Sequence, residues 1–221
     1  DYKNNFSDDF SMSVGYNVTL LKNEVTEING TDFIEGGVFS IGQPAPSRME
    51  VGQPIGYFYG YQTNGIFQNQ AEVDAHPSQT ALGSESAPGD FRYVDINNDN
   101  VIDVNDRTNI GDPIPDATMG LNLQFNYKAL DITMYTFASV GNEMVRNYES
   151  IAIDANNLNY TLDRWRGAGT TNSSPRVTTG SSTNNVLSTY FVEDASYIRI
   201  QNIQLGYSLN SEALEKIGQG K

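Results

Sequence analysis

From Asp9 to Asn23 the chain reads DFSMSVGYNVTLLKN, and apolar and polar residues alternate through it without a break. Phe10, Met12, Val14, Tyr16, Val18 and Leu20 fall on one face; Ser11, Ser13, Gly15, Asn17 and Thr19 fall on the other. A period of two belongs to an extended strand, whose successive side chains point to opposite sides. The pattern returns in ATMGLNLQFNYKALDITMYTFASVG. There Met119, Leu121, Leu123, Phe125 and Tyr127 alternate with polar residues, and a minimal turn at Lys128 and Ala129 leads back through Leu130, Ile132 and Met134. Those two runs predict a hairpin. In SYIRIQNIQLGYSL the phase slips at Gln201 and Asn202 before resuming at Ile203, Leu205, Tyr207 and Leu209, which predicts a β-bulge.

Strands of about 10 to 14 residues exceed the usual five or six of soluble proteins. Their connections are lopsided as well: minimal at Lys128, very long over about 22–116 and 141–189. Both features suit a transmembrane β-barrel, with short turns on one side, long loops on the other, and strands facing lipid on one face and a polar lumen on the other. Phe10, Tyr127, Tyr190 and Phe191, near strand ends, suit its interfacial girdles. A soluble sandwich also alternates, so that reading stays open on pattern alone. Thirteen tyrosines, ten phenylalanines and twenty glycines with no cysteine favour an all-β chain in either case, without disulfides or a cysteine zinc site. A net charge of −14 argues against nucleic acid and anionic membrane surfaces as partners. The opening residues, DYKNNFSDDF, have neither the basic nor the apolar region of a signal peptide, so the chain is expected to be cytosolic or a piece of something longer.

Within the first long connection stands DINNDNVIDVND, Asp95 to Asp106. A calcium loop of the EF-hand kind offers oxygens from positions one, three, five, seven, nine and twelve, because a hard ion with six to eight oxygen ligands needs a tightly wrapped chain. Those places are Asp95, Asn97, Asp99, the main-chain carbonyl of Val101, Asp103 and Asp106. Asn100 takes the turn position usually held by glycine, and Asn is the next best residue for left-handed backbone. The twelfth ligand is the shorter Asp in place of Glu. Calcium is preferred over magnesium, which tends to keep its waters. The alternative is a solvated turn of Asn and Asp without an ion.

Elsewhere, NQAEVDAHP predicts a short helix ended by Pro77, with His76, the single histidine, at its solvated end. Trp165 between Arg164 and Arg166 reads either as a sugar-stacking platform or as an anchor of the loop on the barrel rim. With one histidine and no cysteine, the usual nucleophile and base pairs cannot be assembled, and no two carboxylates stand out as a glycosidase pair. GAGTT from Gly167 lacks the lysine of a phosphate loop. The chain is therefore expected to be no enzyme.

Four stretches, VGQPIGYFYGYQTNGIFQNQAEVDA, then GDFRYVDINNDNVIDVNDRTNIGDPIPDATMGLNLQFNYKALDITMYTFASVGNEM, then RWRGAGTTNSSPRV, and STYFVEDASYIRIQNIQLGYSL, resemble in that order the C-terminal part of the SusC/RagA family. These are TonB-linked outer-membrane transporters of Gram-negative bacteria, and the likeness covers nearly the whole chain from Phe10. Where the family carries Gly in the metal loop this chain has Asn100, and where it carries Gly and Phe in the tight turn it has Ala129 and Leu130. The resemblance implies that residues 1–221 are a section of a large antiparallel barrel, twenty-two-stranded in the family. The plug domain and TonB box would lie outside this chain. It further implies an outer-membrane location in contact with lipid, a SusD-like surface lipoprotein as partner, the TonB complex engaged through the missing N-terminal region, and oligosaccharide or peptide as cargo. If the Lys128 turn is periplasmic, parity puts both long connections outside the cell, where the ion would brace an excursion with little core of its own. The competing expectation is a secreted, calcium-braced β domain for polysaccharide binding or adhesion.

Overall fold

The computed structural model describes residues 1–39, 43–147 and 159–209. The strands expected from alternation are present: β2 (Phe10–Leu20), β3 (Ala117–Tyr127), β4 (Leu130–Val140) and β5 (Tyr197–Tyr207), each 11 residues long. Ahead of them lies β1 (Tyr2–Ser7), which alternation did not single out. All five form one antiparallel sheet in chain order, β1-β2-β3-β4-β5. Its two outer strands remain edges, so the described residues do not close a barrel.

Register aligns the two faces across the sheet. Met12 pairs with Phe125, Val14 with Leu123 and Tyr16 with Leu121. Next along, Phe125 pairs with Ile132 and Leu123 with Met134, which pair in turn with Leu205 and Ile203. The expected hairpin turns at Lys128, where a positive φ of 52° makes the two-residue connection. At the phase slip, Tyr135 faces Asn202 and Thr136 faces Ile200, leaving Gln201 as the extra residue of a bulge. The bulge restores Ile198 and Ile200 to the face of Ile203 and Leu205, which a continuous ladder would not do. We expect that deleting Gln201 is tolerated, since Ile200 and Asn202 would then alternate in phase. Deleting Gln204 would turn Leu205 and Tyr207 to the polar face and cost folded protein. Recovery of folded, protease-resistant protein compares the two, and equal recovery would show that register does not matter here.

The apolar face is uncovered: Leu20, Ile198, Ile203, Leu205 and Tyr207 are 64–79% exposed. On the opposite face side chains pair by hydrogen bonds, as where Asn126 Nδ2 donates to Ser11 Oγ at 3.1 Å. No helix among the described residues is long and apolar enough to cross a membrane, which leaves strands unconsidered.

Both long connections leave and rejoin this sheet at the same end, where Leu20 pairs with Ala117 and Ser139 with Tyr197. The tight turns occupy the other end. Residues 23–114 and 143–194 form a second compact unit. Its strands are short. Phe33–Gly36, Ser47–Glu50, Tyr57–Gly60 and Thr108–Gly111 make one sheet, while Thr63–Ile66 pairs with Phe91–Tyr93 and Glu143–Val145 with Val192–Asp194. The parallel bridge of Tyr61 with Ser188 ties the two connections into one body.

That unit has a core of its own, which corrects the expectation of an excursion with little hydrophobic burial. Tyr61, Ile66, Phe91, Tyr93 and Ile102 form one cluster, and Phe39, Ile110, Leu187 and Phe191 another. Tyr190 and Phe191 therefore serve this core and not an interfacial girdle: a 3₁₀ turn at Thr189–Phe191 folds them inward before β5 begins at Tyr197. Cations contribute from the rim. The Arg48 guanidinium lies 3.9 Å from the Phe33 ring centre and 3.6 Å from that of Tyr59, with Glu35 3.1 Å away. An arginine held between two aromatic faces ties neighbouring strands together.

Candidate functional site

The acidic loop is wound on itself. Asp95 Oδ1 accepts from the backbone N–H of Asn98 at 2.7 Å, and its Oδ2 accepts from Asn100 at 2.9 Å. Asn97 Oδ1 accepts from the Asp99 amide and Asp99 Oδ1 from the Val101 amide. Asn98 and Asn100 take left-handed backbone, with φ of 61° and 66°. Asn100 thus performs the turn for which calcium loops use glycine. The far end is fixed by a capping box: Asp103 accepts from the Asn105 amide, while Asp106 Oδ2 accepts from the Asp103 amide at 2.8 Å. Asp106 Oδ1 reaches back across the loop to the Ile96 amide at 2.8 Å, closing the ring between positions two and twelve.

Apolar residues behind these oxygens moor the loop. Ile102 is fully buried in the first core cluster, and its N–H donates to Ser78 O at 2.8 Å. Arg107, directly after the loop, donates to Tyr59 O at 2.9 Å and lies 3.7 Å from Glu35. It is drawn toward the four-stranded sheet. No Lys or Arg occurs between Asp95 and Asp106, so four carboxylates stand without a cation inside the loop. Asp106 is fully buried, and no cationic side chain pairs with it among the described residues. Both of its oxygens accept from backbone N–H groups, which is how a buried carboxylate is satisfied within the loop. With their oxygens engaged by the loop's own backbone, no three acidic or histidine side chains among the described residues form a group able to hold a metal. The oxygen-bearing residue types and the left-handed turn at Asn100 are those a calcium loop uses, although the described acidic side chains do not converge on a common point.

Around Asp90 the second unit is locked. Its carboxylate is fully buried and takes Arg176 Nε at 2.7 Å, Arg176 Nη2 at 3.0 Å, Asn184 Nδ2 at 2.9 Å and the Ala87 amide at 2.9 Å. The hydrogen bonds to Asp90 raise the Arg176 guanidinium above its usual value. Sequence reading missed this pair, whose only trace was a Pro-Gly-Asp turn 86 residues from Arg176.

Trp165 is half-buried against the first core cluster and donates through Nε1 to Gln68 Oε1 at 3.3 Å. It lies so close to Gly89 that a Cβ there would come within 2.5 Å of indole Cε3. The indole thus anchors its loop on the second unit's own core. Arg164 and Arg166 donate to the main-chain oxygens of Thr161 and Leu162. The expected helix is α1 (Gln70–Asp74), capped by Asn69, and it ends shortly before Pro77 as expected.

His76 is not simply solvated. Its ring meets Phe67 edge-on at 5.1 Å, and Nδ1–H donates to Pro77 O at 2.9 Å. Burial, more than any other influence, lowers its pKa from the usual 6.5. A lowered folded value means that the stability it contributes is held above about 6.5 and lost as pH falls through the folded value. We expect the His76 ring-proton shift to titrate below 6.5. A midpoint at or above that value would mean the ring is solvated.

No protein-family model matches the chain. Curated relatives do. The chain is 32% identical over 219 residues to TonB-dependent receptor P3 of Formosa agariphila, covering 98% of this chain and 21% of the relative. It is 28% identical over 208 residues to TonB-dependent receptor SusC of Bacteroides thetaiotaomicron, covering 92% of this chain and 19% of that one. Among solved structures it is similar to a chain of the RagAB peptide transporter, with a TM-score of 0.66 at 18% identity over 95% of this chain and 22% of the other. The open-open state of the RagAB peptide importer gives 0.65 at 17% identity. The chain spans about a fifth of the length of these curated relatives.

Proposed function

Proceeding from its resemblance to TonB-dependent receptors of the SusC kind, we propose that this chain is a section of an outer-membrane importer and has no catalytic role. The sheet β1–β5 would form part of the wall of a large barrel, twenty-two-stranded as in the family, with Leu20, Ile198, Ile203, Leu205 and Tyr207 toward lipid and the Asn126–Ser11 face toward the lumen. The observation that carries this reading is the uncovered apolar face, kept in register over β2 to β5. Stranded in water, a patch of that size invites association; against lipid it needs no cover.

The second unit, reached from one end of the sheet, would lie outside the cell, with the tight turns at Lys128 and Asp8–Asp9 in the periplasm. The full polypeptide would import oligosaccharide or peptide captured by a SusD-like surface lipoprotein and be driven by the TonB complex through its N-terminal region. Likeness to a structure named as a peptide transporter supports peptide among its cargoes. In the acidic loop, Asp95, Asn97, Asp99, the Val101 carbonyl, Asp103 and Asp106 would hold a structural Ca2+ ion, with Mg2+ the poorer fit.

The test is the intact mass of the native polypeptide purified from outer membranes in detergent. A mass several times the 24.3 kDa of this chain, with a lipoprotein co-purifying, is expected. A water-soluble monomer near 24.3 kDa would instead favour a secreted, calcium-braced β domain.

A further inference from the structure

Beside α1 the second unit has a cleft of about 430 Å³, walled on one side by residues 66–72 with Arg92 and on the other by residues 169–172. The walls are fixed by bonds that use up their own groups. Ile66 N–H donates to Asn172 Oδ1 at 2.9 Å. Gln68 Nε2 donates to Ile66 O and Thr171 O, and its Oε1 accepts from Gly169 N and Trp165 Nε1, so that amide has no capacity left. Asn69 and the Gln68 amide hold the Glu72 carboxylate, one on each oxygen.

What remains for a ligand is a small complementary set. Arg92 spends Nε on Asn64 O at 2.9 Å, and its Nη1 stands 4.0 Å from Glu72, an ion-pair distance and not a hydrogen bond. Its terminal nitrogens therefore keep N–H groups to give. Among the described residues Asn172 Nδ2 donates to no acceptor, while Glu72 retains lone pairs beyond the two in use. Donors and an acceptor stand together, and the two charges offset one another. Such a set suits a neutral group that both accepts and donates, which is what a hydroxyl does. Peptide main chain is a poorer match: the amides of Ile66, Phe67 and Gln68 are bonded to Asn172, Asp90 and Glu72, so no strand edge is open for it to pair with. A free carboxylate would meet Glu72 beside Arg92.

We propose that this cleft binds a neutral glycosyl unit, with Arg92 and Asn172 donating to its hydroxyl oxygens and Glu72 accepting from them. The proposal deepens the importer reading by naming a point of contact with glycan. The binding test involves no transport, so a receptor that binds and does not import would refute the importer reading and leave the cleft standing.

The experiment uses the full-length receptor in detergent on an array of neutral oligosaccharides, uronate-bearing oligosaccharides and immobilised dipeptides. Wild-type protein is expected to retain a subset of neutral oligosaccharides. Arg92→Ala and, separately, Glu72→Gln are expected to lower that retention about tenfold, with thermal unfolding little changed in the Arg92→Ala variant, which gives up one exposed hydrogen bond to Asn64 O, and lowered in Glu72→Gln, whose single oxygen cannot serve both Asn69 and the Gln68 N–H. The proposal is overturned if no neutral oligosaccharide is retained, if dipeptides or uronates are retained in preference, or if both variants bind as wild type does.

Discussion

Replacing Arg176 with Met is expected to destabilise the second unit by about 3 kcal/mol, the lower end of what breaking a buried ion pair costs. The deletion would leave Asp90 fully buried and ionised with only the Asn184 amide and the Ala87 N–H as partners. Arg176 itself is 25% exposed, which places the cost at the lower end. The asymmetry matters: Asp90→Asn should cost less, because an amide can keep the Ala87 bond and frees a guanidinium that already reaches water. Combining the two changes should cost less than their sum, since the second removes the charge that the first exposes. Hydrogen exchange at the Arg176 N–H, which donates to Gly89 O at 2.8 Å, and at the Gly89 N–H, which donates to Phe67 O at 2.8 Å, reports the opening. A loss below about 1 kcal/mol, the range of surface pairs, would mean that water screens this pair in the folded protein.

That pair also marks where sequence reading stops. The sheet was legible because each residue of β2 to β5 carries its own evidence: one slipped position would have put Leu123 among the glutamines, and the slip that does occur, at Gln201, was visible as a break in phase. β1 was not legible, since Tyr2, Asn4 and Phe6 share a face without sharing polarity. In the second unit, strands of three and four residues give no period to read, and its core is assembled from partners far apart in sequence. Asp90 and Arg176 are 86 residues apart, and Tyr61 meets Ser188. Nothing local predicts such encounters. Tyr190 and Phe191 show the opposite error: aromatic residues near a strand end suit a membrane girdle by composition, and only the 3₁₀ turn that folds them inward tells the two roles apart.

The acidic loop lies between these cases, its ligand positions readable from spacing and its dependence on an ion open to direct test. If Ca2+ completes it, chelation should release four carboxylates from their counter-charge at once, and Asp95, Asp99 and Asp103 can turn to water. Asp106 cannot, because it is fully buried. The effect should therefore run along the two links that leave Asp106: through Ile96 to the start of the loop, and through Arg107 to Tyr59 O and Glu35. We expect EGTA to raise protease cleavage between residues 95 and 106 at least tenfold, which is about 1.4 kcal/mol of lost protection. Calcium should restore resistance at lower concentration than magnesium. Asp106→Ala should cost more than chelation does, because it also removes the acceptor of the part-buried Ile96 and Asp103 amides, at about 0.5–1.5 kcal/mol for each lost bond. Asp99→Ala, at an exposed ligand position, should remove the calcium response with little loss in calcium-free protein. Cleavage that ignores EGTA, with Asp99→Ala equal to wild type, would show a loop held by its own hydrogen bonds and needing no metal.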